Sequence, residues 1–315
     1  MRHTMLRWSA VVVLVGATLA ACGESTVPGT GSGTGAVTRS ERTWVDTTRP
    51  TPPNSKFTGA PSRTLRTLIW QPPTGAPVPL LVLAHGFDSL PEWFDALAAT
   101  IAGHGFVVAA PAFPLTNHYA LGYDVEKLGD AGHQPADMSF VITQLLAAAT
   151  TPGDALDGQI IAGDVAVLGE SLGGTTVTGL TRKDCCRDPR VRAALLFAAA
   201  PIDILGSLFG TDSIAAGPPT LVAHGTVDTT LAYSGSQQLY AQIDPPKVFL
   251  GITGAGHADA VFATTLPLTV VQNVAERAIV GFLNAIFRGQ HATFADTLAA
   301  LAAEGNEVHS DGTLP

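Results

Sequence analysis

The sequence predicts an α/β fold: a mostly parallel sheet with helices on both faces and no large lid domain. Three observations lead there. Short apolar runs alternate along the chain with longer stretches of helical period, the pattern of repeated strand–helix–strand units. Apolar residues make up 46% and charged residues only 14% of 315, enough for a core and too little charge for a disordered polymer. The very apolar stretch 191–210 is interrupted by Pro201 and Asp203, so it reads as a parallel strand buried on both faces rather than a membrane span. The net charge of −9, with 17 Lys and Arg, argues against a nucleic-acid partner, which needs a basic face.

In chain order, residues 1–21 carry Arg2 and Arg7, then a short apolar core, then small residues. That is the layout of a secretory signal peptide, too short to span a bilayer. Leu19-Ala20-Ala21-Cys22 resembles the bacterial lipobox. The resemblance implies cleavage before Cys22, lipid on its sulfur and amine, and export to the cell envelope, anchored to the outer face of a membrane. Loss of residues 1–21 removes two arginines and no acid, so the mature chain is two units more acidic. Residues 22–42, rich in Gly, Ser and Thr, read as the anchor and a flexible tether.

The globular domain is expected over 43–288. Strands are predicted at 65–70, 80–84, 106–110, 165–168, 191–199, 220–223 and 247–252. Helices are predicted at 92–102, 135–149, 172–181, 234–243 and 266–287. Pro135 suits a first helical turn, and Met138, Val141, Ile142, Leu145 and Leu146 recur at helical spacing. Residues 112–134 lack a period and read as a long loop of the kind that often carries function. Residues 289–315 read as a short helix near 291–302 and a loose tail. A monomer is expected.

The most informative stretch is Val165-Ala-Val-Leu-Gly169-Glu170-Ser171-Leu172-Gly173-Gly174. An apolar strand runs into Gly-x-Ser-x-Gly and then a helical pattern, a context in which the serine stands on a sharp strand-to-helix turn. Here the chain resembles the α/β-hydrolase family. The resemblance implies a serine nucleophile followed in the chain by an acid and then a histidine. Thr220-Leu-Val-Ala-His224-Gly225-Thr226-Val227-Asp228 supplies the acid on a turn after a strand, with Asp203 as the rival and Asp228 favoured. Gly254-Ala255-Gly256-His257 follows the last clear strand and supplies the base. His85 and His224, at strand ends before Gly, read as structural or site-lining. Leu80-Leu-Val-Leu-Ala84-His85-Gly86-Phe87 resembles the family's oxyanion turn, so the N–H groups of Phe87 and Leu172 are expected to hold the oxyanion.

The resemblance implies a serine carboxylic-ester hydrolase acting on small to medium acyl esters, with no metal and no cofactor. Two branches are similar: the platelet-activating-factor acetylhydrolase, chlorophyllase and dienelactone hydrolase group, and the bacterial cutinase-like polyester hydrolases. The second usually shows Gly-His-Ser-Met-Gly-Gly-Gly and a Trp after the next strand. This chain has Glu170 at the His position and no Trp in Ala200-Pro201-Ile202, so the first branch is the nearer. Polyester hydrolysis is the alternative, and a non-catalytic surface binding lipoprotein is the further one. A pocket is expected from Phe87, Trp93, Phe94, Leu172, Ile202, Ile204 and Leu205. Glu170 lies behind the nucleophile and, if buried, needs a partner or a raised pKa. Adjacent Cys185 and Cys186 leave two readings open, a vicinal disulfide or a pair of buried thiols.

Overall fold

A computed structural model describes residues 36–54, 56–120, 130–199 and 205–315 in full, and residues 25–27 and 202–204 as backbone alone. Ten strands form one sheet among the described residues, in the order β1-β2-β3-β5-β4-β6-β7-β8-β9-β10. They are β1 Ser25–Val27, β2 Val37–Asp46, β3 Arg63–Gln71, β4 Val78–Ala84, β5 Val107–Pro111, β6 Ile160–Glu170, β7 Val191–Phe197, β8 Thr220–Gly225, β9 Lys247–Ile252 and β10 Glu307–Asp311. The six strands from β5 to β9 run parallel, and β1, β2, β3 and β10 add antiparallel edges. The helices are α1 Asp95–Gly103, α2 Gln134–Ala148, α3 Leu172–Arg182, α4 Ile202–Phe209, α5 Tyr233–Gln242, α6 Val270–Arg288 and α7 His291–Ala303.

The parallel strands are apolar because both faces are covered. All seven residues of β4 are buried. Leu81 and Leu83 enter the core under α1, α6 and α7, while Leu80, Val82 and Ala84 enter the one under α2, α3 and α5. This is the alternation a pleated strand imposes. α6 is long and apolar enough to cross a membrane, but most of it is buried against the sheet. Its ends are set locally: Thr269 and Gln272 form a reciprocal cap, and Gly289 closes the helix in the left-handed region at φ 64°.

Four expectations are corrected. The tether does not extend to residue 42, because β2 begins at Val37 and pairs with β3 from Thr38 to Asp46. Ser25–Val27 also pairs, with Val37–Arg39. β2 carries a polar, half-exposed face with little hydrophobic signal. Its place is held by the backbone ladder and by Arg42, which donates to Asp154 at 2.8 and 2.5 Å. The tail is not loose: α7 forms near where the helix is expected, and β10 pairs antiparallel with β9. Its five polar-rich residues lack an apolar run. The apolar stretch from 191 is not one strand, since β7 ends at Phe197 and α4 starts at Ile202. Periodicity cannot separate a buried strand from a buried helix in such a run. The helix expected from residue 92 begins as a 3₁₀ turn, Pro91–Phe94, before α1. Residues 1–24, with Cys22 and the signal peptide, lie outside the described residues, as do 121–129 of the long loop.

Candidate active site

The C-terminal ends of β4, β6, β8 and β9 meet at one edge of the sheet. At the end of β6 the chain turns sharply into α3 at Ser171, which has φ 53° and ψ −119°, in the half of backbone space that side chains disfavour. The turn closes only because its neighbours are glycines. A Cβ on Gly169 would strike the Gly173 carbonyl, and one on Gly173 would strike the Ala84 carbonyl. The strained turn lifts the serine hydroxyl clear of the sheet, at the N-terminus of α3.

His257 comes from the loop after β9. Its Nε2 lies 2.9 Å from Ser171 Oγ, and its Nδ1 lies 2.7 Å from Asp228 Oδ2. Asp228 sits on the turn after β8 with its carboxylate out of solvent. Burial opposes its charge, but hydrogen bonds from His257 and from the Leu231 and Thr230 N–H groups outweigh this, and its pKa is lowered. An ionised Asp228 makes Nδ1 of His257 the proton-bearing nitrogen. Nε2 is then left to accept from the Ser171 hydroxyl. The structure therefore brings Ser171, His257 and Asp228 together. The side chain of the rival acid, Asp203, lies outside the described residues.

Two histidines read as structural or site-lining have definite places. His224 Nε2 is 2.9 Å from Asp228 Oδ2, and its Nδ1 accepts from Ser236 Oγ at 2.7 Å. Burial lowers its pKa, so it stays neutral and gives Asp228 a further N–H. His85 donates from Nδ1 to the Gly86 carbonyl at 2.7 Å and accepts the Phe113 N–H on Nε2 at 3.0 Å. Burial pushes its pKa down to about 4. It is a neutral brace between the β4 turn and the loop after β5. Sequence reasoning missed both contacts. The one available signal was that each histidine ends a strand beside the site.

Phe87 is half-buried on the turn after β4. Leu172 is the first residue of α3, among the N–H groups that a helix leaves without intrahelical partners. A Cβ on Gly86 would lie 3.0 Å from Ser171 Cβ, so the β4 turn runs directly beside the serine. Behind it, Glu170 is buried and accepts the Gly86 N–H on Oε2 at 3.1 Å. Its pKa is raised to about 8, chiefly by burial and further by Asp228, against the pull of the Gly86 N–H.

The expected pocket is only partly assembled. Trp93 is half-buried, with its ring against Phe262 at 5.2 Å and near His118 at 5.6 Å. Phe94 is fully buried in the core beneath α1, which corrects its assignment to the pocket. Leu205 is also a core residue. It borders a cavity of about 610 Å³ with Lys183, Asp212 and Ile214, which contains none of Ser171, His257 or Asp228. The side chains of Ile202 and Ile204 lie outside the described residues. Arg182 and Lys183 point away from the site and hold the carbonyls of Ala215, Pro218, Gly210 and Asp212. Cys185 and Cys186, just past α3, are joined by a disulfide.

No protein-family model and no curated protein matches this chain. Solved structures do. A ferulic acid esterase from Streptomyces cinnamoneus superposes with a TM-score of 0.60 over 79% of this chain and 89% of that one, at 18% identity. The fold is the α/β-hydrolase fold. In all, 1129 solved chains match this one, and a scaffold reused so widely does not by itself carry a function. What the α/β-hydrolase fold contributes here is placement: the Ser171 turn after β6, Asp228 after β8 and His257 after β9 converge on one edge.

Proposed function

We propose that this chain is a serine carboxylic-ester hydrolase. The reading rests on one observation, the continuous hydrogen-bonded line from Ser171 Oγ through His257 to Asp228. His257 Nε2 takes the hydroxyl proton as Oγ attacks the ester carbonyl carbon. The carbonyl oxygen becomes an oxyanion held by the N–H groups of Phe87 and Leu172. Collapse breaks the bond to the alcohol oxygen, which leaves with the proton from Nε2, and the acyl group stays on Ser171. Water, deprotonated by the same nitrogen, repeats the sequence and releases the acid. Asp228 holds the tautomer and stabilises the imidazolium throughout. Two aimed N–H groups are worth several kcal/mol in the transition state, since losing one such donor costs ~10²–10³ in rate.

The preferred substrates in this reading are small to medium acyl esters. Among the described residues no Lys or Arg is hydrogen-bonded to Ser171, His257 or Asp228, so an acidic substrate is not indicated. In the same reading the enzyme is exported and held at a membrane through lipidated Cys22. The test is a p-nitrophenyl ester series from acetyl to dodecanoyl, with wild type and Ser171→Ala. Hydrolysis by wild type alone supports the reading, and equal rates in both remove it.

A second reading, an aryl-acyl esterase, is favoured by a specific cluster. The rings of Trp93, His118, Tyr119 and Phe262 are linked at 5.2 to 5.6 Å. They are tied to the oxyanion turn by the Asp88 N–H to Thr116 and the His118 N–H to Ser89. An aromatic acyl group would find offset or edge-on partners there. Methyl ferulate against methyl butyrate separates the two readings by kcat/KM.

A further inference from the structure

Glu170 touches two parts of the machinery at once. Oε2 accepts the N–H of Gly86 at 3.1 Å, and Oε1 lies 3.6 Å from Nε2 of His257. A Cβ on Gly86 would lie 2.5 Å from Oε2, so only glycine lets the carboxyl approach the β4 turn this closely. The carboxyl is 2% exposed and cannot be satisfied by bulk water. We propose that Glu170 is a positioning residue: its buried carboxyl fixes the Gly86 peptide, thereby aiming the next N–H, that of Phe87, at the oxyanion. This rests on the hydrolase reading above.

The un-ionised state matters for two reasons. A carboxylate at Oε1 would compete with the leaving alcohol for the proton on Nε2. Its charge would also oppose the oxyanion forming beside the same turn. The surroundings keep the proton on. Burial raises the Glu170 pKa to about 8, and the negative Asp228 adds to this. The titratable groups that face it are His257 from the β9 loop, 3.6 Å from Oε1, and Asp228 from the β8 end, whose charge acts on it. No Lys or Arg is hydrogen-bonded to it among the described residues. Burial displaces His85 and His224 downward and hydrogen bonds displace Asp228 downward, whereas Glu170 is displaced upward.

The experiment compares wild type, Glu170→Gln and Glu170→Ala over pH 6 to about 10 on p-nitrophenyl butyrate. Wild-type kcat should fall above pH 8, and Glu170→Gln, which keeps an acceptor for Gly86 without a charge, should lack that limb. Glu170→Ala should lose about tenfold to a hundredfold in kcat at pH 7 with little change in KM, part of the cost of an oxyanion donor. Gln should recover most of that loss. An alkaline limb retained in Gln, or Ala and Gln equally impaired, would overturn the proposal. A second readout needs no turnover: ¹³C-glutamate NMR of wild type minus Glu170→Gln should show one carboxyl titrating near pH 8. A Glu170 resonance titrating in the ordinary carboxylate range would overturn it as well. Failure of the hydrolase reading shows up separately, as a wild type no faster than Ser171→Ala.

Discussion

Asp228→Asn is the perturbation whose consequence the structure specifies most fully. Four donors converge on this carboxylate. Thr230 N–H at 2.7 Å and Leu231 N–H at 3.0 Å reach Oδ1, while His257 Nδ1 at 2.7 Å and His224 Nε2 at 2.9 Å reach Oδ2. The backbone pair cannot change character, so the asparagine oxygen takes the Oδ1 position and the NH₂ faces the imidazoles. His257 must then offer a lone pair at Nδ1 and carry its hydrogen on Nε2. That nitrogen sits 2.9 Å from Ser171 Oγ and can no longer take its proton. His224 can adapt, because Ser236 Oγ is able to accept as well as donate. The expected loss is ~10⁴ in kcat with KM little changed, or about 5.5 kcal/mol at ~1.4 kcal/mol per tenfold. Steady-state hydrolysis of p-nitrophenyl butyrate measures it, and a thermal melt confirms that the variant is folded. A folded variant that loses less than tenfold would refute the reasoning and move the acid elsewhere.

Three further outcomes follow from the packing. Gly173→Ala drives a Cβ into the Ala84 carbonyl beside the Ser171 turn, and should cost ~2–3 kcal/mol and roughly 5–10 °C in Tm, read by calorimetry. Arg63 is buried between Asp130 and Asp137, so Arg63→Met removes their shared partner, leaving Asp137 with Arg49, and should cost about 3–5 kcal/mol in urea unfolding. Arg63→Lys should recover only part of this, because three guanidinium nitrogens are in use. Asp154 is held below its ordinary 3.8 by the Arg42 guanidinium, so folding gains stability above that value and loses it as pH falls through the lower folded pKa. Arg42→Gln should therefore lower Tm at pH 6, with the gap to wild type closing below about pH 3.8.

How much of this was legible beforehand depends on where each residue sits. The central strands announce themselves because burial on both faces leaves continuous apolar runs, as in 80–84 and 247–252. The turn at Ser171 is legible because strained geometry demands small residues at fixed offsets, Gly169 and Gly173. Asp228 and His257 follow from chain order within the resemblance. The edges were not legible. β2 and β10 are held by backbone pairing and polar contacts, which leave no hydrophobic period. Nor was the pocket, because Phe94 and Leu205 are aromatic or aliphatic for the core's sake, and sequence cannot tell a core ring from a lining one. The roles of His85, His224 and Glu170 depend on contacts 28, 4 and 84 residues away, which only the fold brings together.

The central claim is that Ser171 is the nucleophile of a hydrolytic triad. The most direct test is to treat the protein with an organophosphate ester such as paraoxon and locate the adduct by peptide mass mapping, with activity followed in parallel. The account predicts one phosphoryl group per chain, on Ser171, with activity lost in proportion to labelling and no labelling of Ser171→Ala. A label on another residue, or an inert Ser171 in a protein that still hydrolyses esters, would contradict it.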